Sequence, residues 1–204
     1  MLMYDDSFVA VMKATRDEAT ALGARAYGSE HVLLGLLASD DDLTQQVMRS
    51  FPDLTTSAVR EAVRGAVDDA PHLTRLGLTA YDPVVTARAE GAAGWRRPRN
   101  KHTPELQSAL NEASTRWGHL RETHALPKER KPTSAVLWLA VLEPSARAPR
   151  LLDAMEIDTD AVRTAVLSAL VPAGTAVPPW PTAPPVGPVS RLVQRVFGRT
   201  NVAR

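Results

Sequence analysis

Residues 28–37 read GSEHVLLGLL, and this short stretch determines how the rest of the chain is interpreted. Ser29 is a residue type that caps helices, and Glu30 follows in the first turn, where the helix dipole favours a negative charge. Leucines at 33, 34, 36 and 37 leave almost no polar face on a helix of 3.6 residues per turn. The stretch therefore predicts a helix that is buried on all sides.

Three further helices are predicted in the first seventy residues, because apolar side chains recur at helical spacing and capping residue types precede them. They are Ser7–Leu22, which Gly23 ends, a helix from residues 40–42 to Phe51, and Ala58–Val67, which residues 55–57 cap. No segment there shows the alternating pattern of a strand. The first part of the chain is thus predicted to be one four-helix unit.

The same order of helices recurs in the second half of the chain. Ala58–Val63 reads AVREAV and Ala161–Val166 reads AVRTAV, so five of six positions are identical at an offset of 103. Val32–Leu34 has an apolar counterpart in Val136–Trp138 at an offset of 104. Because the order of helices around these matches is shared, an internal duplication is the better explanation. We predict an all-α fold of two tandem four-helix repeats.

The second repeat is predicted to begin with a helix over Pro104–Trp117, with Thr103 as its N-cap and Gly118 just past its end. Trp117 and Trp138 are expected in the core, since each lies on an apolar helix face. We predict one domain over residues 1–171. It consists of repeat 1 at 4–70, a linker at 71–101 with one helix over Asp82–Ala93, and repeat 2 at 102–171 with a long loop at 119–131. After the domain we predict a proline-rich spacer at 172–188 and a basic tail at 189–204 that forms a short amphipathic helix.

Composition excludes several classes of function. The 204 residues include no cysteine, so disulfides, thiolate metal sites and cysteine nucleophiles are excluded. The sequence has no glycine-rich phosphate loop, no serine-nucleophile elbow and no histidine pair at i, i+4 spacing. We therefore predict a protein that is not an enzyme and that holds no cofactor or metal. No apolar run approaches the roughly 20 residues of a membrane-spanning helix and no secretory signal is visible, so a cytoplasmic protein is expected.

A formal net charge of +1 hides an uneven distribution of charge. The first seventy residues carry twelve acidic and six basic side chains, whereas the last sixteen carry four arginines and no acid. A nucleic acid or an anionic membrane surface would suit the basic clusters, although solvated segments and a partner-docking tail are the simpler alternatives. The candidate partner-contacting residues are Arg96, Arg97, Arg99 and Lys101 beside Trp95, and Arg191 with Arg195 in the tail.

Residues 17–36 resemble a family signature. Asp17-Glu18-Ala19 followed by residues 28–36, GSEHVLLGL, resembles the signature of the N-terminal domain of Clp unfoldases, especially of the ClpC type. That signature is a helix with Glu-Glu-Ala, a glycine turn, and then Gly-Thr-Glu-His, Ile or Leu, and Leu-Leu-Gly-Leu. The resemblance implies two repeats in a pseudo-twofold arrangement. It also implies a non-catalytic recognition domain of an ATP-driven ring, whose ATPase module this sequence does not contain.

The same resemblance implies a binding role for the residues at the start of the buried helix. Glu30 matches the glutamate that contacts the guanidinium of a bound phosphoarginine, with Ser29 beside it. In the second repeat, residues 132–135 read PTSA, so Ser134 replaces this glutamate and the second site is expected to be lost. The simpler alternatives are that Glu30 stabilises its helix and that His31 is a structural residue of the turn.

A candidate groove is assigned, again by resemblance, to the residues at which the two repeats begin: Tyr4, His102 and Thr103. The family's domain is also the docking surface of certain cyclic peptide antibiotics. Here His102 and Gln107 stand where the family has an aromatic and a basic residue, which counts against antibiotic binding.

The predicted function is that of a freestanding Clp N-domain-like binding module. Its expected partners are Clp unfoldase or protease subunits, their adaptors, or substrate peptides, so that it modulates a Clp protease. One alternative is a decoy that sequesters a cyclic peptide antibiotic. Another is an accessory protein that uses the basic linker and tail on a nucleic acid or a membrane surface.

Overall fold

The computed structural model describes residues 5–24, 26–75, 101–127, 133–172 and 174–180, of which 67–75 as backbone. Within these ranges the chain forms eight helices and one pair of two-residue strands, so the all-α prediction is confirmed. In chain order the elements are α1 (Asp6–Ala21), β1 (Ala26–Tyr27), α2 (Ser29–Leu37), α3 (Asp42–Ser50), α4 (Thr56–Arg75), β2 (Lys101–His102), α5 (Pro104–Glu122), α6 (Ser134–Val141), α7 (Ala148–Ala154) and α8 (Thr159–Leu170).

The two halves of the chain repeat the same order of four helices. α1 and α5 each start behind an N-cap whose side-chain oxygen accepts the backbone N–H three residues on, Asp5 in the first repeat and Thr103 in the second. α4 begins at Thr56 and α8 at Thr159, which keeps the offset of 103 seen in the sequence. Two tandem four-helix repeats are therefore present, and Thr103 is a cap as predicted.

α2 and α6 are buried along their whole length. Every residue from Ser29 to Leu37 is buried, and so is every residue from Ser134 to Val141. The two helices pack against each other across the two repeats, and each also packs against the first helix of its own repeat. The larger apolar cluster accordingly takes residues from both repeats. Burial of α2 on every side confirms the prediction made from residues 28–37.

α1 and α2 approach each other closely at Gly35. A Cβ atom added to Gly35 would lie 2.8 Å from the backbone nitrogen of Thr15 and 2.8 Å from the carbonyl oxygen of Val11. Both are backbone atoms of α1, which cannot rotate aside as the end of a side chain can. The spacing of these two helices therefore depends on glycine at position 35.

Two helices are longer than their sequence patterns indicated. α5 continues through Gly118 to Glu122, whereas Trp117 was the predicted end, so the long loop predicted at 119–131 begins later. A glycine inside a helix costs only about 1 kcal/mol, which burial of apolar side chains on the same helix outweighs. α4 continues to Arg75 and not to Val67, so the predicted linker at 71–101 begins inside a helix. An apolar pattern marks the part of a helix that packs against other elements, whereas the backbone hydrogen bonds of the helix can continue beyond that part.

A short parallel strand pair joins the repeats, although no strand was predicted in the first seventy residues. Ala26 pairs with Lys101 and Tyr27 pairs with His102. Two residues are too few to show the alternation by which a strand is recognised in a sequence. The pair brings the start of α2 beside the start of α5, which positions the site described below.

Both predicted core tryptophans are buried. Trp117 is 2% exposed and Trp138 is 0% exposed. The indole N–H of Trp138 donates to the hydroxyl of Thr44 on α3, with a nitrogen–oxygen distance of 3.0 Å. Trp138 therefore connects the second repeat to the first by a hydrogen bond as well as by packing.

The proline-rich segment differs from the prediction in its first part. Trp180 is half-buried and packs against both apolar clusters, so the stretch up to this residue is attached to the domain. An extended spacer from residue 172 was predicted from the density of prolines, which gives no indication of an aromatic contact with distant residues. The rest of the spacer, the tail at 189–204 and the helix predicted over Asp82–Ala93 lie outside the described residues.

Prediction for Gly35→Ala: the variant loses stability by about 1–3 kcal/mol, because the new methyl group meets the α1 backbone and forces the helices apart. Chemical denaturation followed by circular dichroism measures the change in the free energy of unfolding. Gly118→Ala is the matched control, since Gly118 also lies inside a helix and a Cβ there meets nothing within 4 Å. That control is expected to gain about 0.5–1 kcal/mol from helix propensity. Equal effects of the two substitutions would contradict the close contact at Gly35.

Candidate functional site

The start of α2 lies where the two repeats meet, and Ser29 bonds to the second repeat there. The Ser29 hydroxyl donates to Glu105 Oε1 (2.7 Å) and accepts the backbone N–H groups of Arg147 (2.9 Å) and Ala148 (3.1 Å). Glu105 Oε1 also accepts the Arg147 N–H at 2.8 Å. Thr103 completes the group by donating to Glu105 Oε2 at 3.1 Å. These residues hold α2, α5 and the start of α7 together.

Glu30 is enclosed beside this network. Glu30 is 1% exposed, and neither oxygen of its carboxylate accepts a hydrogen bond from any residue that the structure describes. A Cβ atom on Gly28 would lie 2.5 Å from Glu30 Oε2, so the carboxylate occupies space that only glycine at position 28 leaves free. Among the residues that the structure describes, the arginine paired with it is Arg147, whose Nη1 is 3.9 Å from Glu30 Oε1. In the described part of the chain, the buried carboxylate thus has an ion-pair partner but no hydrogen-bond donor.

His31 fixes the turn before α2, which agrees with the structural role considered for it. Its Nδ1 accepts the backbone N–H of Gly28 at 3.2 Å. This nitrogen is also 3.2 Å from Glu30 Oε1. A nitrogen that accepts the Gly28 N–H cannot also donate to the carboxylate. Gly28, and not Ser29 as predicted, is the N-cap of α2.

The second repeat has no carboxylate at the matching place. Thr133 caps α6 with φ −108° and ψ −170°, almost the values of Gly28 before α2, which are −107° and −171°. The caps therefore pair Ser134 with Ser29 and Ala135 with Glu30, one position away from the sequence offset of 104. The Ser134 N–H donates to the Ser7 hydroxyl of α1 at 3.1 Å, which mirrors the contact of Ser29 with α5.

Of the candidate groove residues, Thr103 is buried and His102 is exposed. Thr103 belongs to the network around Ser29, and its backbone N–H donates to the carbonyl of Tyr27 at 3.0 Å. His102 is exposed, with Nε2 2.5 Å from Gln107 Oε1 and its ring 6.2 Å from that of Tyr27. Tyr4, the third predicted member, lies outside the described residues.

Of the predicted basic partner residues, the structure describes Lys101, which is exposed on β2. The others, which are Arg96, Arg97, Arg99, Arg191 and Arg195, lie in parts of the chain that the structure does not describe. In the described ranges no group of three or more acidic and histidine side chains could hold a metal ion. Likewise, none of the helices described above is long and apolar enough to cross a membrane.

Two residues of this region were missed by sequence reasoning. Glu105 lies in the first turn of its helix, where an acid is common, and nothing in the sequence indicates its contact with Ser29. Arg147 lies more than a hundred residues from Glu30 in the sequence, and no spacing rule connects them. Only the packing of the two repeats brings its guanidinium to the carboxylate.

No protein-family model matches the chain, and no curated protein matches it. Among solved structures, the N-terminal domain of the caseinolytic protease associated chaperone ClpD from Arabidopsis thaliana is similar, with a TM-score of 0.51 and 15% sequence identity. The match covers 82% of this chain and 94% of that chain. At this identity the likeness concerns the fold. The chain has the fold of a Clp N-terminal domain, as the resemblance of residues 17–36 implied.

Prediction for Ser29→Ala: the variant loses about 1–3 kcal/mol of stability, because the buried N–H of Ala148 loses the acceptor that the structure gives it. Thermal and chemical unfolding measure the loss. Ser134→Ala is the matched control, since Ser134 is equally buried and its hydroxyl has no hydrogen-bond partner among the described residues. Removal of an unpartnered buried hydroxyl should leave stability unchanged or raise it. If both substitutions cost the same, the network around Ser29 does not join the repeats.

Proposed function

We propose that the chain is a non-catalytic protein-binding module of the Clp N-domain type, which binds substrate proteins or adaptors and thereby modulates a Clp protease. One observation carries the proposal: a fold like that of a Clp N-terminal domain, built around a helix that begins with the Gly-Ser-Glu-His motif. Such a module would act by offering partners to a Clp protease or by competing for them.

The ligand site of this module is proposed to lie at Glu30 and to be closed by Arg147 in the free protein. A buried carboxylate without hydrogen bonds suits a guanidinium, which offers paired N–H donors in a planar fork. Arg147 of the chain itself stands 3.9 Å away and makes no such fork. Its side chain is 21% exposed, so it can move into solvent when a ligand cation arrives. The guanidinium of the ligand would then donate a hydrogen bond to each carboxylate oxygen of Glu30.

The site is proposed to exist once per chain. Ala135 stands at the place of Glu30 in the second repeat and cannot pair with a cation. A pseudo-symmetric pair of guanidinium sites, as the family resemblance implies for its members, is therefore not part of the proposal.

Prediction for Arg147→Ala: this variant binds a phosphoarginine-containing peptide about ten-fold more tightly than the wild-type chain, a gain of about 1.4 kcal/mol from removing the competing internal cation. Isothermal titration calorimetry measures both dissociation constants. The double variant Glu30→Ala/Arg147→Ala should lose the gain, because the carboxylate is then absent. Equal affinity of the single and double variants would show that Glu30 is not the ligand site.

The modulation of a Clp protease is tested separately with purified components. A bacterial Clp unfoldase and its protease degrade a fluorescent substrate while the chain is added in increasing amounts. We expect the degradation rate to change and to saturate, and we expect the immobilised chain to retain Clp subunits or a purified adaptor. Absence of both effects would contradict the module's proposed role, whatever the affinity for phosphoarginine.

Neither alternative function gains support from the described residues. His102 and Gln107 pair with each other, and neither is the aromatic or basic residue that the family has at its antibiotic-binding surface, which counts against a decoy for a cyclic peptide. The nucleic-acid or membrane alternative depends on basic residues, and of these the described ranges include the exposed Lys101 and none of the arginines.

A further inference from the structure

Residues Val177–Trp180, named the strap here, lie against the second repeat. Just before the strap, the Thr175 N–H donates to the carbonyl of Pro172 at 3.1 Å. Val177 is 44% exposed, whereas Trp180 is half-buried and packs against both apolar clusters. The strap is thus attached chiefly through one aromatic side chain.

Two arginines form the surface on which Trp180 lies, and they are named the cradle. The Cζ atom of Arg163 on α8 is 5.4 Å from the centroid of the indole ring, and that of Arg116 on α5 is 6.0 Å from it. Both distances lie within the range of cation–π attraction. The ring therefore connects α5 and α8 electrostatically as well as by apolar contact.

The cradle is held in place by contacts that do not involve the strap. Arg163 donates to the carbonyl of Leu142 from Nε (3.0 Å) and Nη2 (2.7 Å), and to Asp160 from Nη1 at 2.6 Å. Arg116 is buried and forms a two-point pair with the carboxylate of Glu143. Because other groups fix both guanidinium planes, the cradle should keep its shape when the strap is absent.

The first repeat has no such cradle. Arg60 corresponds to Arg163 by the offset of 103, and Glu18 corresponds to Arg116, since each lies thirteen residues after the cap of its helix. Glu18 accepts two hydrogen bonds from Arg60 at 3.0 and 2.7 Å, which raise the pKa of Arg60 above its ordinary value. The position of Glu18 in the first repeat is thus taken by Arg116 in the second, and in the described ranges it is the second repeat that offers two cations to an aromatic ring.

The strap fills its place incompletely. The indole N–H of Trp180 is buried without a hydrogen-bond partner in the part of the chain that the structure describes. A groove of about 560 Å³ remains between the strap and α8, bordered by Leu167, Thr164 and Arg163. This volume lies in the usual range of ligand sites, which is about 300–1,000 Å³. Both features are expected of a contact that can be exchanged for a better one.

We propose that the face between α5 and α8 is a binding site for extended protein segments in which a tryptophan follows prolines, and that the strap occupies this site within the same chain. Prolines hold a segment in an extended conformation before it binds, so that little conformational entropy is lost on docking. The tryptophan supplies the anchor on the cradle. A partner segment of this chemistry binds by displacing Trp180.

The test uses the full chain and a fluorescent peptide with the sequence of residues 174–182, followed by fluorescence anisotropy. Trp180→Ala is expected to bind the peptide at least about ten-fold more tightly than the wild-type chain, because a short tether gives the wild-type strap an effective concentration in the millimolar range. The same peptide with alanine in place of tryptophan should not bind. Trp180→Leu, which keeps an apolar contact and has no ring face, is the second variant if Trp180→Ala loses its helical signal.

The cradle is tested in the same background. Adding Arg163→Ala to Trp180→Ala should weaken peptide binding by about ten-fold, because one of the two ring contacts is lost. Adding Arg60→Ala, the corresponding arginine of the first repeat, should leave it unchanged. If a folded Trp180→Ala or Trp180→Leu chain fails to bind the peptide, or if Arg60→Ala weakens binding as much as Arg163→Ala, the proposal is wrong.

Discussion

Two helices without a polar face determine the architecture of this chain. A helix that is apolar all round must be enclosed by protein on every side. Within the first repeat α2 contacts α1, α3 and α4, and within the second repeat α6 contacts α5 and α8, yet each central helix also has a side that is covered by the other repeat. α2 and α6 therefore pack on each other, and the remaining helices of both repeats surround them. The duplication thus produces one domain with a shared core, and not two domains in sequence.

Burial of α2 also explains the polar arrangement at its start. The first turn of a helix leaves backbone and side-chain groups that need partners, and here no water reaches them. Ser29 finds its partners on α5 and at the start of α7, which fastens the two repeats at a defined point. Within the described ranges Glu30 accepts no hydrogen bond, and the arginine paired with it is Arg147. This unsatisfied carboxylate is the basis of the ligand site that we propose at Glu30.

The sequence predicted the features that depend on local pattern, and it failed where distant packing decides. The burial of α2, the cap at Thr103, the core positions of Trp117 and Trp138 and the repeat order all follow from spacing and capping chemistry. The continuation of α5 through Gly118 does not, because packing outweighs a small helix preference. The approach of Arg147 to Glu30 and of Trp180 to its cradle depends on contacts between residues far apart in the chain. No periodicity records such contacts.

Packing of α2 on α6 makes the two repeats a single cooperative unit with a shared core. Native-state hydrogen exchange on the full chain tests it most directly, because it reports the free energy at which each helix opens. We expect backbone amides of both helices to exchange only by global unfolding, with equal opening free energies and an equal response to denaturant. Exchange of α6 through a lower-energy opening, while α2 stays protected, would contradict it and would mean that each repeat is stable alone.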